Sequence, residues 1–338
     1  MSLRWWAFAT VAVVSGSAHA ATPCVGSVHT CVNAETFWPH AGASLFFGIG
    51  STTVAAPGQV GFGLVTTYQH NPLVVHTPSP GPLGGESPVV ANQANANFLF
   101  NFGVARNLEL FAALPVTIAQ SGEGLRSITA GDGLRSTAMG DPRFGFAWTW
   151  KGLTAEPPPQ AQNPWANRAM DPPPPPLSVA SVNWGGALRF TTSIPSGERS
   201  QFVTDRTATF SLVLSLEFRR KRWFAATEAG VRIRPTTNFL DSQVGSQAVA
   251  ALGLGYDVVS AERLSVLAEA RALPSLIGGA SSCEWTAGLR SAPLSHGRFS
   301  VMAGAGTAIP LGDRGFPNPD LRLLVSLRYA PDPTEEKR

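Results

Sequence analysis

The residue types that could carry chemistry are few and badly placed for it. The chain has six histidines. His29 and His40 lie in an N-terminal segment, His70 and His76 in an expected loop, and His296 in an expected turn. A nucleophilic hydrolase needs a base beside its Ser and a third polar group to orient that base. No histidine falls in mid-strand next to a Ser, so a wall-mounted triad is not expected. Asp132 and Asp141 flank a Gly-rich stretch and read as turn chemistry. A metal site built from Cys24, His29 and Cys31 lacks a fourth ligand. The abundant glycines open no helix, so they do not form a phosphate loop. They read instead as residues at strand bends. No cofactor and no metal are expected, and the catalytic set is empty.

What recurs instead is charge inside otherwise apolar stretches. Arg143, Arg189, Arg219, Arg232, Arg271, Arg290, Arg322 and Arg328 alternate with apolar neighbours, and so do Glu217, Glu228 and Glu269. Arg234, Glu109, Asp257 and Glu284 follow the same rule. Charges that share an enclosed face pair across strands and stiffen a narrow interior. The other reading is an arginine-lined pore with a mild preference for anions. Both readings remain open at this stage.

The elements that must position these charges are strands. In QANANFLFNFGV (93–104), Gln93, Asn95, Asn97 and Asn101 fall on one face, and Ala94, Ala96, Phe98, Phe100 and Phe102 on the other. That period of two recurs at 141–150, 207–219 and 321–329. It predicts about twelve strands, near 59–69, 93–104, 107–118, 141–150, 181–194, 207–219, 223–234, 245–257, 263–273, 283–291, 298–309 and 320–329. They are longer than most globular strands. Connections alternate between short and long, as turns and outer loops do in a bacterial barrel. The expected fold is an all-β, transmembrane, antiparallel up-and-down barrel occupying 58–330. In this scheme both barrel termini are periplasmic. ASLFFGIG (43–50) reads as one more strand. It either adds to the wall, giving fourteen strands with a further partner, or sits inside as a plug.

Composition agrees. Charged residues make up 14% of the chain and hydrophobic residues 44%, so apolar surface must face a core or lipid. A formal net charge of +3 is too small and scattered for a nucleic-acid binder. Residues 1–20 read as a cleaved signal peptide: Arg4, an apolar run, then Ala18-His19-Ala20. Residues 21–57 are assigned to an N-terminal periplasmic segment. There Cys24 and Cys31 are expected to close a disulfide in an oxidising compartment, with two unpaired thiols as the alternative. The Pro-rich stretch 152–178 is an insertion at a turn or a docking arm for a periplasmic partner. Residues 331–338 form a tail.

STTVAAPGQVGFGLVTTYQHNPLVV from Ser51, GDPRFGF at Gly140, VGSQAVAALGLGYD from Val244 and LRLLVSLRYAP at Leu321 resemble the barrel region of myxobacterial OmpA-family outer-membrane proteins. The resemblance implies an outer-membrane location in a Gram-negative cell, lipid as the surrounding solvent, and assembly by the barrel-assembly machinery. Tyr329 resembles the terminal aromatic that this machinery reads. The peptidoglycan-binding domain common in that family has no counterpart before Arg338. Two functions follow as expectations. One is a passive pore or export channel for small polar solutes or a polymer. The other is a structural or partner-binding barrel that serves as a scaffold for an envelope complex.

Overall fold

The computed structural model describes residues 31–77, 85–124, 126, 133–150, 183–205, 207–239, 242–259, 264–291, 299–309 and 318–330. The signal peptide 1–20, Cys24, His29, His296, Asp132, the Pro-rich insertion 152–178 and the tail 331–338 lie outside these residues.

Among the described residues the alternating segments form strands that close on themselves. The wall is made of β1 (Val60–Thr77), β2 (Gly85–Ala105), β3 (Leu108–Ser121), β5 (Arg143–Trp150), β6 (Asn183–Ser193), β7 (Phe210–Arg220), β8 (Trp223–Ile233), β11 (Gln247–Val259), β12 (Leu264–Leu273), β13 (Ser282–Ser291), β14 (Phe299–Ala308) and β15 (Leu321–Tyr329). Three short strands sit outside the twelve: β4 (Ala138–Met139), beside β3, and the rim hairpin β9 (Thr237–Phe239) with β10 (Ser242–Val244). Each wall strand pairs antiparallel with its neighbours in sequence. The ring closes between β1 and β15, with Phe62 opposite Tyr329 and His70 opposite Leu321. Closure leaves no unpaired sheet edge, a condition for any sheet surrounded by lipid. The twelve expected strands are all present, and the fourteen-strand alternative is not adopted. Residues 43–50 form no strand.

The two faces of the wall separate as the pattern requires. In β7, Ser211, Val213, Ser215 and Glu217 are buried, while Phe210, Leu212, Leu214 and Phe218 are exposed. In β15, Arg322, Leu324, Ser326 and Arg328 point in, and Leu321, Leu323, Val325 and Leu327 point out. Outward aromatics gather near the short-turn end, as Trp148–Trp150, Trp223–Tyr256 and Phe299–Tyr329 pairs. Such a girdle marks the lipid–water boundary of an outer-membrane barrel. No helix among the described residues is long and apolar enough to cross a membrane; this barrel crosses with strands.

One expected loop is largely strand. β1 and β2 run on through much of 70–92, so His70 and His76 fall within β1 rather than in a loop. Asn71-Pro72 reads as a breaker but marks a bulge. The register shifts between His70 and Leu73, with Asn71 in the left-handed region at φ 49°, which Asn tolerates. Pairing then resumes to Thr77 opposite Gly85. The extension rises beyond the other strands at the long-loop end. There Leu73, Val75, Val89 and Val90 pack with Phe202, Phe239 and Val244 into a rim cluster.

Leu254, on β11, is 52% exposed on the lipid face midway along its strand. Leu254→Arg is expected to cost about 2–4 kcal/mol, read as a lower urea midpoint for unfolding from lipid vesicles. An unchanged midpoint would show that this face does not meet hydrocarbon.

Candidate functional site

The inward charges do not line an open passage. The segment before β1 passes through the lumen and fills it, and it enters at the long-loop rim. Val32 and Ala34 belong to the rim cluster, and the Ala34 amide donates to the Phe202 carbonyl at 2.8 Å. The chain descends to His40 and Gly42, whose carbonyls accept from Arg328 at 2.8 and 2.9 Å. It turns back at 43–50, then descends again to β1, where the Gly58 amide donates to the Gly103 carbonyl at 2.8 Å. The described part of the N-terminal segment 21–57, residues 31–57, thus lies in the lumen and not in the periplasm, and of the two placements open for 43–50 it takes that of a plug. Cys31 is buried and disulfide-bonded, while Cys283 is a free thiol.

Glu35 fixes the upper arm. Its Oε1 accepts from the Phe37 amide at 2.9 Å and from Arg322 Nη1 at 2.8 Å. Its Oε2 accepts from Thr67 Oγ1 at 2.9 Å, Gln69 Nε2 at 2.6 Å and Asn95 Nδ2 at 2.9 Å. One carboxylate thus ties three wall strands to the plug. Arg322 is 1% exposed and also donates to Glu284 through Nε at 2.8 Å. Below it, two guanidinium carbons lie over the Trp38 ring, Arg232 at 3.9 Å and Arg143 at 4.9 Å from its centroid. His40 Nε2 is 3.2 Å from Glu228 Oε2.

In the lower arm, wall carboxylates receive plug amides. Glu269 accepts from the Gly48 amide at 3.1 Å, Glu228 from Gly50 at 3.0 Å and Glu109 from Ala55 at 2.8 Å. Glu217 accepts from the Thr52 hydroxyl at 2.7 Å. The approach is close, so a side chain at either glycine would push the wall group aside. A Cβ on Gly48 would sit 2.6 Å from Glu269 Oε1, and one on Gly50 2.4 Å from Arg189 Nη1. Between the polar layers, Phe46, Phe47 and Ile49 form a dry belt with Leu99, Phe224, Met302 and Leu324 of the wall. The Phe46 ring lies over Gly253, and the Phe47 ring over Gly288 and Gly304. These wall glycines make room for plug aromatics, which corrects their reading as bends.

Each sequence-predicted lumen charge does point inward. Cross-strand pairing accounts for some of them: Arg322 with Glu284, and Arg219 with Asp257. Arg290 Nη2 lies 3.9 Å from Asp257 Oδ1 and 3.4 Å from Ser265 Oγ. Arg189 donates to Ser215 at 3.0 Å, and Arg143 to Asn97 at 2.6 Å. Arg328, Glu109, Glu217, Glu228 and Glu269 are met by the plug, which the strand pattern does not announce. Glu35, Trp38, His40 and Thr52 were missed as anchors. The only available signal was a polar and aromatic set followed by a Gly-Ile-Gly in a segment with no period.

At the rim, Asp141 accepts from the Thr204 hydroxyl and from the Asp205 and Gly197 amides. Burial pushes its carboxyl above the ordinary value, against the pull of those donors. Among the described residues, the lumen Ser and His that share a hydrogen-bond partner are not arranged as a nucleophile and its base. Ser215 and His40 both bond Glu228, so a carboxylate stands where the base would have to touch the nucleophile. His70 points outward and bonds Asn92. Three spaces between plug and wall among the described residues each have room for one or two waters.

No protein-family model matches the chain, and no curated protein matches it. Solved structures do. The COG4313 outer membrane channel from Pseudomonas putida F1 aligns over 83% of this chain and 98% of its own, at 9% identity and a TM-score of 0.54. A Pseudomonas aeruginosa FadL homologue aligns over 92% of this chain and 100% of its own, at 10% identity and a TM-score of 0.36. The first likeness shows a shared outer-membrane β-barrel fold, and the second is too loose to add to it.

Glu35→Gln keeps one carbonyl oxygen and turns the other into an amide NH2, so two or three of the five donors lose their acceptor, while Arg322 keeps Glu284. A loss of about 1.5–3 kcal/mol is expected, read as a lower unfolding midpoint in detergent. Stability equal to wild type would show that the upper arm is not anchored there.

Proposed function

We propose that this barrel is an outer-membrane channel for small polar solutes, held shut by its own N-terminal segment. The observation that supports the reading most is the way the plug is attached. It meets the wall through hydrogen bonds to polar and charged side chains, layered around one apolar belt. Each such bond to a carboxylate is worth about 1.5–3 kcal/mol net, and water or a polar solute can take its place. A wall that carries arginines and carboxylates has partners for water whenever an arm of the plug shifts. A partial shift serves a small solute, whereas an extended polymer requires expulsion of the whole plug, so small solutes are the preferred cargo. Kinship with the barrel regions of myxobacterial OmpA-family proteins belongs to the same proposal and is carried by the strand-end motifs alone.

The second reading, a structural or partner-binding barrel, is favoured by the filled lumen itself. On that reading the plug is permanent and the Pro-rich insertion 152–178 receives a periplasmic partner.

Planar-bilayer recording separates the two. Under the channel reading, wild type shows rare stepwise openings, and Glu35→Gln raises the open fraction about tenfold or more, the factor expected from loss of an anchor worth about 1.5–3 kcal/mol. Silence from both proteins would sink the channel and leave the scaffold. The scaffold then predicts that deleting 157–176 removes a co-purifying periplasmic protein while the barrel stays heat-modifiable.

A further inference from the structure

Three wall arginines converge on the descending arm of the plug with buried N–H groups that no side-chain or backbone acceptor receives. Arg143 on β5, Arg232 on β8 and Arg271 on β12 line one void together with Trp38 and His40. Arg143 is 4% exposed and Arg232 2%. The Nε–H groups of all three, and Nη1 of Arg271, meet no acceptor. The carboxylate on the same void, Glu228, is already engaged by His40, the Gly50 amide and Ser215. Arg232 faces the like charges of Arg271, Arg234 and Arg143, against Asp205 alone. Trp38 offers its ring face to Arg232 and Arg143, which eases the two cations but supplies no negative charge. Buried charge without a counter-charge is strongly unfavourable, and buried N–H groups without acceptors add to that cost.

We propose that this void is an anion site for one small monovalent ion of chloride size, held by the Nε–H donors of Arg143, Arg232 and Arg271. The void has room for a group of one or two water volumes, which a halide matches. The ion neutralises the arginine cluster and fastens the Trp38 arm to the wall. The site does not depend on whether the barrel conducts.

The test uses the full barrel, purified without chloride and crystallised from sodium bromide. Anomalous scattering is expected to place bromide between Arg143, Arg232 and Arg271. The peak should vanish in Arg232→Gln and persist in Arg106→Gln, since Arg106 is exposed in the turn after β2. In solution, replacing gluconate by chloride at constant ionic strength is expected to raise the thermal midpoint of wild type by about 5 °C. Arg232→Gln should remove that rise. Should Arg232→Gln fail to fold, Arg271→Gln gives the same reading. No bromide in the void of wild type, bromide at exposed arginines only (an adventitious ion only), or a chloride response that survives both substitutions would each overturn the proposal.

Discussion

Everything inside this barrel answers to one constraint: charge enclosed by a lipid-surrounded wall must find partners that bulk water does not supply. The Glu35 carboxylate shows the solution most fully. It gathers five donors from the plug and three wall strands, among them the almost fully buried Arg322. A wall built from strands alone would have to match every arginine to a carboxylate in the correct register. This wall does so in part and delegates the rest to a segment whose unpaired backbone is itself in need of partners. Plug amides take wall carboxylates, and plug carbonyls take Arg328. Each side resolves the other's desolvation cost.

The same exchange sets the character of the interior. A lumen packed with apolar side chains would be rigid and permanently shut, like the filled core of a small barrel. Here the apolar contact is confined to a belt around Phe46, Phe47 and Ile49, and polar layers lie above and below it. The belt supplies much of the burial energy, about 1.5–3 kcal/mol for each large side chain. The polar layers supply position.

The wall was legible in the sequence because alternation is a direct consequence of strand geometry. Phe98, Phe100 and Phe102 against Asn97 and Asn101 can satisfy lipid and lumen only as a strand. The inward arginines followed from the same parity. The plug was legible only as one of two placements for 43–50, and its anchors were not, because an irregular segment has no period and residues such as Glu35 and Thr52 acquire meaning only from what lies across the lumen. Gly253, Gly288 and Gly304 were visible but misread: a glycine that admits a neighbour's ring looks, in one dimension, like a glycine at a bend. Asn71-Pro72 misled for a related reason, since a breaker within a strand can be absorbed by a bulge when the partner strand continues.

The position of the plug also bears on how the molecule can be made. The segment is continuous with β1, one of the two strands that complete the ring, and it runs from one rim of the cylinder to the other. Threading a peptide through a finished tube would drag polar backbone and several aromatic rings past a dry constriction. Wrapping a sheet around a peptide already laid along its inner face avoids that passage. The β1–β15 seam joins residues at opposite ends of the barrel sequence, Phe62 with Tyr329, and contacts so distant along the chain form slowly. The delay suits the architecture: the ring stays open long enough for its contents to be packed, and zipping the last seam seals them in.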